Sequence, residues 1–385
     1  MGYRDDLDTP ALVVHDEILQ RNLHRMADYA ATKGIALRPH FKTHKTAAVA
    51  EQQKALGASG ITCAKLGEAE ALADAGVYDD FFIANQIVGP HKLKRLVALM
   101  DRAKVRVAVD TADVASGLDG AMAAAGKTLD VVIELNTGQD RAGVKPGAEA
   151  LALAETIRAE MPHLRVVGLM THEGHVNNTE GIEGMTDTAL AAGHDIIETA
   201  ELLREHGFDI SVVSVGSTPA AFTTTTVEGV SEMRPGTYVF NDRAYLRFGL
   251  SPDDCALRIL TTVTSRPAPD RAIVDAGSKT LTSDMAKGAE GHGLIVDYPE
   301  AVIARISEEH GVVELPESAR GLKVGDKVEI IPNHVCPTVN LQDEMYLVRN
   351  GEVVETWPVI ARGKVRYGTS PPCPLSRGER GRMNC

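Results

Sequence analysis

The segment with the clearest chemical potential runs from Arg38 to Lys45 and reads Arg-Pro-His-Phe-Lys-Thr-His-Lys. It follows an apolar run and places Lys42 between His40 and His44. The carboxyl ends of the strands form the active site in parallel barrels, so a lysine at such an end is a candidate Schiff-base nucleophile. Lys45 is the rival amine, and a solvated surface lysine is the alternative reading for both.

Two further polar segments follow predicted strands. Residues 171–178 read Thr-His-Glu-Gly-His-Val-Asn-Asn, in which His172 and His175 supply acid/base capacity near neutral pH. Residues 136–144 contain two glycines that allow a tight turn, from which Arg141 can point back into the mouth of a barrel. A polar surface loop and a surface arginine are the respective alternatives.

Glycines and hydroxyls after the seventh and eighth predicted strands form a candidate phosphate site. Free backbone N–H groups, hydroxyl donors and a helix start all attract an anion, although a hydroxyl there can also be a plain helix cap. The residues assigned to this site are Gly216, Ser217, Thr218, Gly236, Thr237 and Tyr238. Together with a Schiff-base lysine, a phosphate site indicates a phosphorylated carbonyl cofactor, and pyridoxal 5′-phosphate meets both demands.

A candidate metal pair lies further along the chain, in Pro-Asn-His-Val-Cys-Pro at 332–337. On an extended strand, His334 and Cys336 would share one face, as a two-point chelate requires. A surface histidine beside a buried cysteine is the alternative. A third ligand would have to come from elsewhere, such as water or substrate.

The elements that must position these residues alternate between strands and helices over the first two thirds of the chain. Helical patterns at 92–101, 148–160 and 188–206 separate many of the strand-like runs. Eight such repeats favour a (β/α)8 TIM-type barrel, with a doubly wound open sheet as the competing arrangement. The predicted strands are 36–41, 60–64, 80–85, 106–110, 129–136, 165–170, 210–216 and 232–240.

After about residue 250 the pattern changes to a mostly β domain. Strand-like runs at 256–264, 272–276 and 327–332 are joined by short turns, and Asn350-Gly351 between 345–348 and 353–357 is a strong hairpin signal. We expect the barrel to span 16–248 and the β domain 249–366, with 8–15 as an added strand. Residues 367–385 are rich in proline and arginine and are expected to be a disordered tail.

Composition narrows the classes of partner. The 385 residues are 44% hydrophobic, which is enough for two cores. A net charge of -13 with scattered lysines and arginines, and an aromatic content of 4%, argue against nucleic acid. The chain has no signal-like start and no apolar run of membrane-spanning length, so no membrane partner is expected. Five widely spaced cysteines form no disulfide framework, so we expect a cytoplasmic protein.

Taken in order, these motifs resemble those of the fold-type III pyridoxal phosphate enzymes, which join an alanine racemase-like barrel to a C-terminal β domain. Within them, the chain is similar to the D-serine dehydratase and D-threonine aldolase group. The similarity spans roughly residues 8–364. It is carried by the segments 8–12, 38–45, 138–144, 236–238, 275–277, 334–338 and 361–364.

The resemblance implies a role for each candidate residue. Lys42 would form the Schiff base with the cofactor, and Arg141 would contact the cofactor ring. The glycine and hydroxyl residues after the seventh and eighth predicted strands would hold its phosphate. His334 and Cys336 would bind a divalent metal, with zinc favoured and manganese or magnesium possible. A homodimer and a small D-amino acid substrate are implied as well.

The resemblance leaves the reaction open. Aldolases of the group typically have His-x-Asp at the metal, whereas the dehydratases have His-x-Cys with zinc, a metal suited to a thiolate. The aldolases also place a base histidine where this chain has Asn178, although His172 or His175 could substitute. We therefore favour a D-serine or D-3-hydroxyaspartate dehydratase, with a D-threonine or D-3-hydroxyaspartate aldolase as the alternative. A racemase, a non-catalytic pyridoxal phosphate carrier and a sugar-phosphate barrel enzyme are more remote.

Overall fold

A closed ring of eight parallel strands forms the first part of the protein in the computed structural model, which describes residues 2–365. From the second strand to the eighth, each strand pairs with the next along the chain, and the first pairs with the eighth. A bridge between His40 and Thr62 joins the first strand to the second and completes the ring. The predicted (β/α)8 barrel is confirmed and the open-sheet alternative is wrong. The strands are Ala36–Leu37, Ile61–Cys63, Asp80–Ile83, Lys104–Val109, Leu129–Leu135, Leu164–Thr171, Val212–Val215 and Glu232–Met233.

Helices surround this ring on the outside. The first, Asp16–Lys33, ends at Gly34, whose φ of 65° is the left-handed conformation that glycine adopts without a steric penalty. The three predicted helical patterns correspond to three of the helices that follow. Those between the barrel strands are Ala47–Ala55, Leu66–Asp74, Pro90–Met100, Ala112–Ala125, Ala148–Glu160, Gly181–Glu205 and Ala221–Thr224.

A nine-stranded sheet forms the second part of the structure. Ala11–His15 lies inside it, antiparallel to one neighbour and parallel to the other. The predicted hairpin is present, with positive φ at both Asn350 and Gly351, as a type I′ turn requires. In spatial order the strands are Arg271–Val274, Gly311–Glu314, Val302–Ile306, Leu294–Ile295, Lys327–Ile331, Leu257–Ala268, Ala11–His15, Glu344–Arg349 and Glu352–Pro358.

Short helical segments complete the described chain. The α-helical ones are Tyr3–Asp6, Ser278–Leu281 and Val335–Asn340, and the 3-10 segments are Gly174–Asn178, Thr237–Val239, Arg243–Phe248, Pro252–Asp254 and Glu317–Ala319. Within residues 2–365, every helix is too short or too polar to cross a membrane. The predicted tail at 367–385 lies outside the described residues, and the proposed domain limits stay a prediction.

The segment that carries the metal pair differs from the prediction of an extended strand. The strand ends at Ile331, and His334 is the N-cap of the helix Val335–Asn340. The chain turns because the Asp242 carboxylate accepts the N–H of Val335 at 3.0 Å, while the Asn333 amide donates to two distant carbonyls. His334 and Cys336 therefore project from a helix cap and a first helical turn.

The interior of the barrel is packed with side chains. Phe82, Ala108, Val132 and Met170 form a buried cluster there. The guanidinium of Arg234 lies 5.6 Å from the centre of the Phe82 ring, within range of a cation–π contact. The barrel is therefore a filled core, and a ligand can enter only at its ends.

Candidate active site

A cavity of about 450 Å³ lies at the carboxyl ends of the barrel strands. Its walls come from loops that follow several barrel strands and from the helix Val335–Asn340, which follows a strand of the nine-stranded sheet. Ten of the predicted site residues line it: Lys42, Arg141, His172, Gly216, Ser217, Thr218, Gly236, Thr237, His334 and Cys336. The side chains of His175 and Tyr238 lie elsewhere.

The two candidate lysines have different surroundings. Lys42 lines the cavity. Lys45 is buried outside it, with its Nζ 2.8 Å from Oδ1 of Asn340 and 3.2 Å from Oε1 of Glu68. Lys42 is therefore the amine that a bound molecule can reach.

The two candidate histidines also differ. Nδ1 of His172 contacts the carbonyl oxygen of Gly216, so Nδ1 carries the proton and Nε2 has a free lone pair. Burial lowers the pKa of His172 to about 3, and the charges of Lys42 and Arg141 act in the same direction. The ring is therefore neutral at physiological pH and a weak proton acceptor.

His175 supports a neighbouring loop. Its Nε2 lies 3.1 Å from the position that a Cβ at residue 138 would occupy, which explains the glycine there. Its Nδ1 is buried without a hydrogen-bond partner. His175 therefore packs beneath the loop that carries Arg141, away from the cavity.

Arg141 is held over the cavity by a buried carboxylate. One oxygen of Glu134 lies 3.2 Å from the guanidinium, and the other accepts a 2.7 Å hydrogen bond from Gln86. The loop turns back on itself at Gly143, whose φ is 98°. The Asn136 side chain accepts two N–H groups of the same loop, which fixes its shape.

The two segments of the predicted phosphate site, after the seventh and eighth strands, contact each other at Thr218. Its hydroxyl oxygen accepts the N–H of Gly236 at 3.3 Å and that of Tyr238 at 3.2 Å. Tyr238 contributes only its backbone here, because its hydroxyl accepts a hydrogen bond from Gln53 in the core. The N–H of Gly216 is already bound to the buried carboxylate of Glu173 at 3.0 Å.

These groups fit pyridoxal phosphate. The lining contains three cationic side chains, Lys42, Arg141 and Arg234, against the single carboxylate of Glu134. That excess of positive charge suits a phosphate, and the Thr218 hydroxyl, whose oxygen accepts two backbone N–H groups, can donate its own proton to one. Lys42 supplies the primary amine that the carbonyl of the cofactor requires.

His334 and Cys336 form a coupled pair at the edge of the cavity. Burial alone would lower the pKa of His334, but contact with Cys336 and the nearby carboxylates of Asp242 and Asp284 raises it to about 9. Burial would raise the pKa of the Cys336 thiol, yet contact with His334 and the charge of Lys42 lower it. The lowered pKa favours the thiolate, which is the form that binds metals.

The pair fits a metal ion that keeps open coordination positions. Nδ1 of His334 donates to Oδ2 of Asp284 at 2.6 Å, so Nε2 is the ring nitrogen that could bind a metal, with release of its proton. Within residues 2–365, no cluster of three histidine, cysteine or acidic side chains has the geometry of a metal site. A bound ion would therefore take its other ligands from water or substrate, and the imidazole–thiolate set suits zinc.

Several lining residues were missed by the sequence reasoning. His40 lies within the segment 38–45 and Arg234 within the predicted strand 232–240, but neither position in the sequence indicates a role. Asn177 and Tyr245 line the cavity beside His334. Asp284 carried no signal, because it lies 50 residues before His334 and only the fold brings the two together.

Comparison with known proteins agrees with this architecture. The model of the alanine racemase N-terminal domain matches residues 14–244, and the model described as "Putative serine dehydratase domain" matches residues 256–348. A D-threonine aldolase of Arthrobacter sp. is 37% identical over 360 residues, which cover 93% of either chain.

Solved structures superpose over nearly the whole chain. The D-threonine aldolase of Filomicrobium marinum has a TM-score of 0.87 and 37% identity, covering 94% of this chain and 97% of its own. A mutant of a D-threo-3-hydroxyaspartate dehydratase, described as a metal-free form, has a TM-score of 0.85 and 32% identity, covering 93% and 99%. Both reactions are therefore represented among the relatives.

Proposed function

Because the chain belongs to the D-serine dehydratase and D-threonine aldolase family of fold-type III pyridoxal phosphate enzymes, we propose that it is a metal-assisted lyase of D-β-hydroxy-α-amino acids. The observation that carries this proposal is that Lys42 and the His334–Cys336 pair line one cavity. An amine nucleophile and a metal pair can then act on neighbouring atoms of one substrate. The names of the relatives favour catalysis over a carrier.

Each residue of the cavity has a proposed role in this reaction. Bound pyridoxal phosphate supplies a carbonyl that condenses with amines and a ring that withdraws electrons from the substrate Cα. Lys42 would be the amine that holds this carbonyl, and it would also be the base for a proton at Cα. The hydroxyls of Ser217 and Thr218 would hold the phosphate, and Arg141 would contact the ring. His334 and Cys336 present a Lewis acid to the β-hydroxyl.

We place dehydration to a 2-oxo acid and ammonia first. For that reaction, a metal held by His334 and Cys336 would supply the Lewis acid that departure of the hydroxyl requires, and no second base would be needed. Aldol cleavage instead needs a base for the hydroxyl proton. His172 is a poor one because burial lowers its pKa to about 3, and His175 lies outside the cavity. D-Serine and D-3-hydroxyaspartate are the proposed substrates.

Aldol cleavage to glycine and an aldehyde is the second candidate. It is favoured by the 37% identity to two D-threonine aldolases, against 32% for the dehydratase structure. His172 would then have to accept the hydroxyl proton through Nε2, and a metal held by His334 and Cys336 would supply the Lewis acidity that lowers the pKa of that hydroxyl. D-Threonine would be the diagnostic substrate.

Zinc is the proposed metal, with manganese or magnesium as alternatives. The thiol of Cys336 favours zinc because sulfur is a soft ligand. The metal-free description of the dehydratase mutant supports a metal requirement in that relative. We also propose a cytoplasmic location, in keeping with the free thiols of Cys63, Cys255 and Cys336. We propose a homodimer as well, which light scattering on the purified protein tests.

Product analysis tests the proposal. The purified protein is incubated with pyridoxal phosphate and either zinc or manganese, and then with D-serine, D-threonine or D-3-hydroxyaspartate separately. A 2-oxo acid with ammonia supports the dehydratase, and glycine with an aldehyde supports the aldolase. Lys42→Ala is the control that must be inactive. Racemised substrate or no product, with cofactor bound, would overturn the lyase proposal.

A further inference from the structure

The loop that carries Lys42 contacts the metal-bearing helix at two points. The hydroxyl oxygen of Thr43 lies 3.2 Å from the sulfur of Cys336, and Nζ of Lys45 lies 2.8 Å from Oδ1 of Asn340. Cys336 and Asn340 are four residues apart in the helix Val335–Asn340 and thus lie on one of its faces. The loop therefore holds both the first turn and the last residue of that helix.

Lys45 is unusually well enclosed for a lysine. Only 6% of the residue is exposed, and besides Asn340 its ammonium has the carboxylate of Glu68 as a partner at 3.2 Å. The second oxygen of Glu68 accepts the N–H of Ala64 at 2.7 Å. Buried ammonium groups are rare unless they are paired, so this contact indicates a specific requirement for the side chain.

The backbone at Lys45 supports the same conclusion. Its φ is 51°, in the left-handed region that favours glycine. Its carbonyl accepts the N–H of Ala361, and its own N–H donates to the carbonyl of Phe41. A glycine would adopt this conformation without strain, so the presence of lysine indicates that the side chain supplies something that glycine cannot.

Thr43 is fixed in a similar way. Its side chain is fully buried, and a Cβ at Gly236 would lie only 2.8 Å from its hydroxyl oxygen. The glycine thereby leaves room for the hydroxyl beside Cys336. The Thr237 hydroxyl lies 3.8 Å from the same sulfur, so the loops after the first and eighth strands both reach this atom.

We infer that Thr43 and Lys45 are positioning residues that hold the helix of Cys336 in a fixed relation to Lys42. The metal pair and the reactive amine come from separate parts of the fold, and these two contacts join them. The inference rests on the proposed function, because it assumes that His334 and Cys336 bind the metal.

The test uses the full-length protein with Thr43→Val and Asn340→Leu. Thr43→Val removes the hydroxyl at nearly constant volume. Asn340→Leu removes the contact to Lys45 and the 3.3 Å acceptor of the Gly363 N–H. The buried Lys45–Glu68 pair stays intact, which avoids leaving Glu68 unpaired. Zinc affinity of the metal-free protein is measured by competition with a chromophoric chelator. Pyridoxal phosphate affinity is measured separately, without metal, from the absorbance of the bound cofactor.

We expect Thr43→Val to bind zinc about 10- to 100-fold more weakly, as for other outer-sphere partners of metal ligands. Asn340→Leu should also weaken zinc binding, because it releases the end of the same helix. Cofactor affinity should be unchanged, and Thr43→Ser should bind zinc as the wild type does. Unchanged zinc affinity in both variants would overturn the inference and leave the proposed function intact. An equal loss of zinc and cofactor affinity would overturn it too, by showing general disruption. A wild-type protein that binds no zinc, manganese or magnesium would overturn both.

Discussion

Asp284 accepts a 2.6 Å hydrogen bond from Nδ1 of His334. The two residues come from different segments, and their side chains are about half exposed. Such a carboxylate fixes the tautomer of a metal-binding histidine and increases its basicity. We therefore expect Asp284→Asn to weaken zinc binding by about 10- to 100-fold while the fold stays intact. Titration of the metal-free protein with zinc measures this.

Asp343→Asn is the matched control for that variant. Asp343 is also a surface carboxylate in a hydrogen-bonded ion pair, with Arg362 at 2.7 Å. We expect zinc affinity to be unchanged by Asp343→Asn. Equal zinc affinity in the Asp284 and Asp343 variants would mean that the carboxylate does not orient His334.

Lys42 should be the site of covalent attachment to the cofactor. Borohydride reduction of the pyridoxal phosphate complex should label the peptide that contains Lys42 and leave Lys45 unlabelled, because Lys45 is buried against Glu68 and Asn340. Mass spectrometry of the digest decides between the two. Lys42→Ala should abolish the label and lower kcat by about 10²- to 10⁴-fold or more, since both nucleophile and base are lost. A label on Lys45 would reverse the assignment.

The barrel could be predicted from the sequence because each strand is a short apolar run with polar residues at its carboxyl end. The same pattern predicts that Lys42 and His172 lie at one end of the barrel, since the carboxyl ends of parallel strands converge. The hairpin at Asn350-Gly351 could be predicted from two adjacent residues alone, because both readily adopt positive φ. These features depend on neighbours in the chain.

The features that sequence reasoning missed depend on contacts between distant segments. His334 and Cys336 were expected on a strand, but the carboxylate of Asp242 accepts the N–H of Val335 at the start of a helix. His175 was a plausible second base by type, yet it faces Gly138 because the 3-10 segment Gly174–Asn178 turns it away from the cavity. The residue types indicated which chemistry is possible, whereas the orientation of each side chain depended on tertiary packing.

His44 should make the fold sensitive to acid. It is fully buried with Nδ1 3.2 Å from the carbonyl of Thr46, and burial lowers its pKa to about 3. Below pH 6.5 the unfolded chain binds a proton that the native chain does not. The stabilising contribution is therefore complete above pH 6.5 and is lost as the pH falls toward 3, by up to about 1.4 kcal/mol per pH unit.

The measurement is the free energy of unfolding in urea between pH 6.5 and 4.5. We expect its slope with pH to be smaller in His44→Asn than in the wild type, because asparagine keeps a donor near Thr46 but does not titrate. His24→Asn removes an exposed histidine and should keep the wild-type slope. An unchanged slope in His44→Asn would show that His44 is not the group responsible.

Gly143 should be the least replaceable residue of the Arg141 loop. Its φ is 98°, and an added Cβ would lie 2.7 Å from the backbone nitrogen of Asn136 and 2.8 Å from the carbonyl carbon of Leu135. Neither backbone atom can move without displacing the end of the fifth barrel strand. Gly147 is the matched control, with a φ of 79° but no atom within 4 Å of an added Cβ.

Both glycine-to-alanine changes introduce backbone strain, on the order of 1–3 kcal/mol of stability. Only Gly143→Ala should also displace Arg141 and Glu134, so we expect kcat/KM to fall roughly 10- to 100-fold in that variant and to remain near the wild-type value in Gly147→Ala. Steady-state kinetics with the substrate found by product analysis, together with thermal unfolding of both variants, measure the difference. Equal activity in the two variants would mean that the turn at Gly143 does not position Arg141, because strain alone would then account for all that alanine does in this loop.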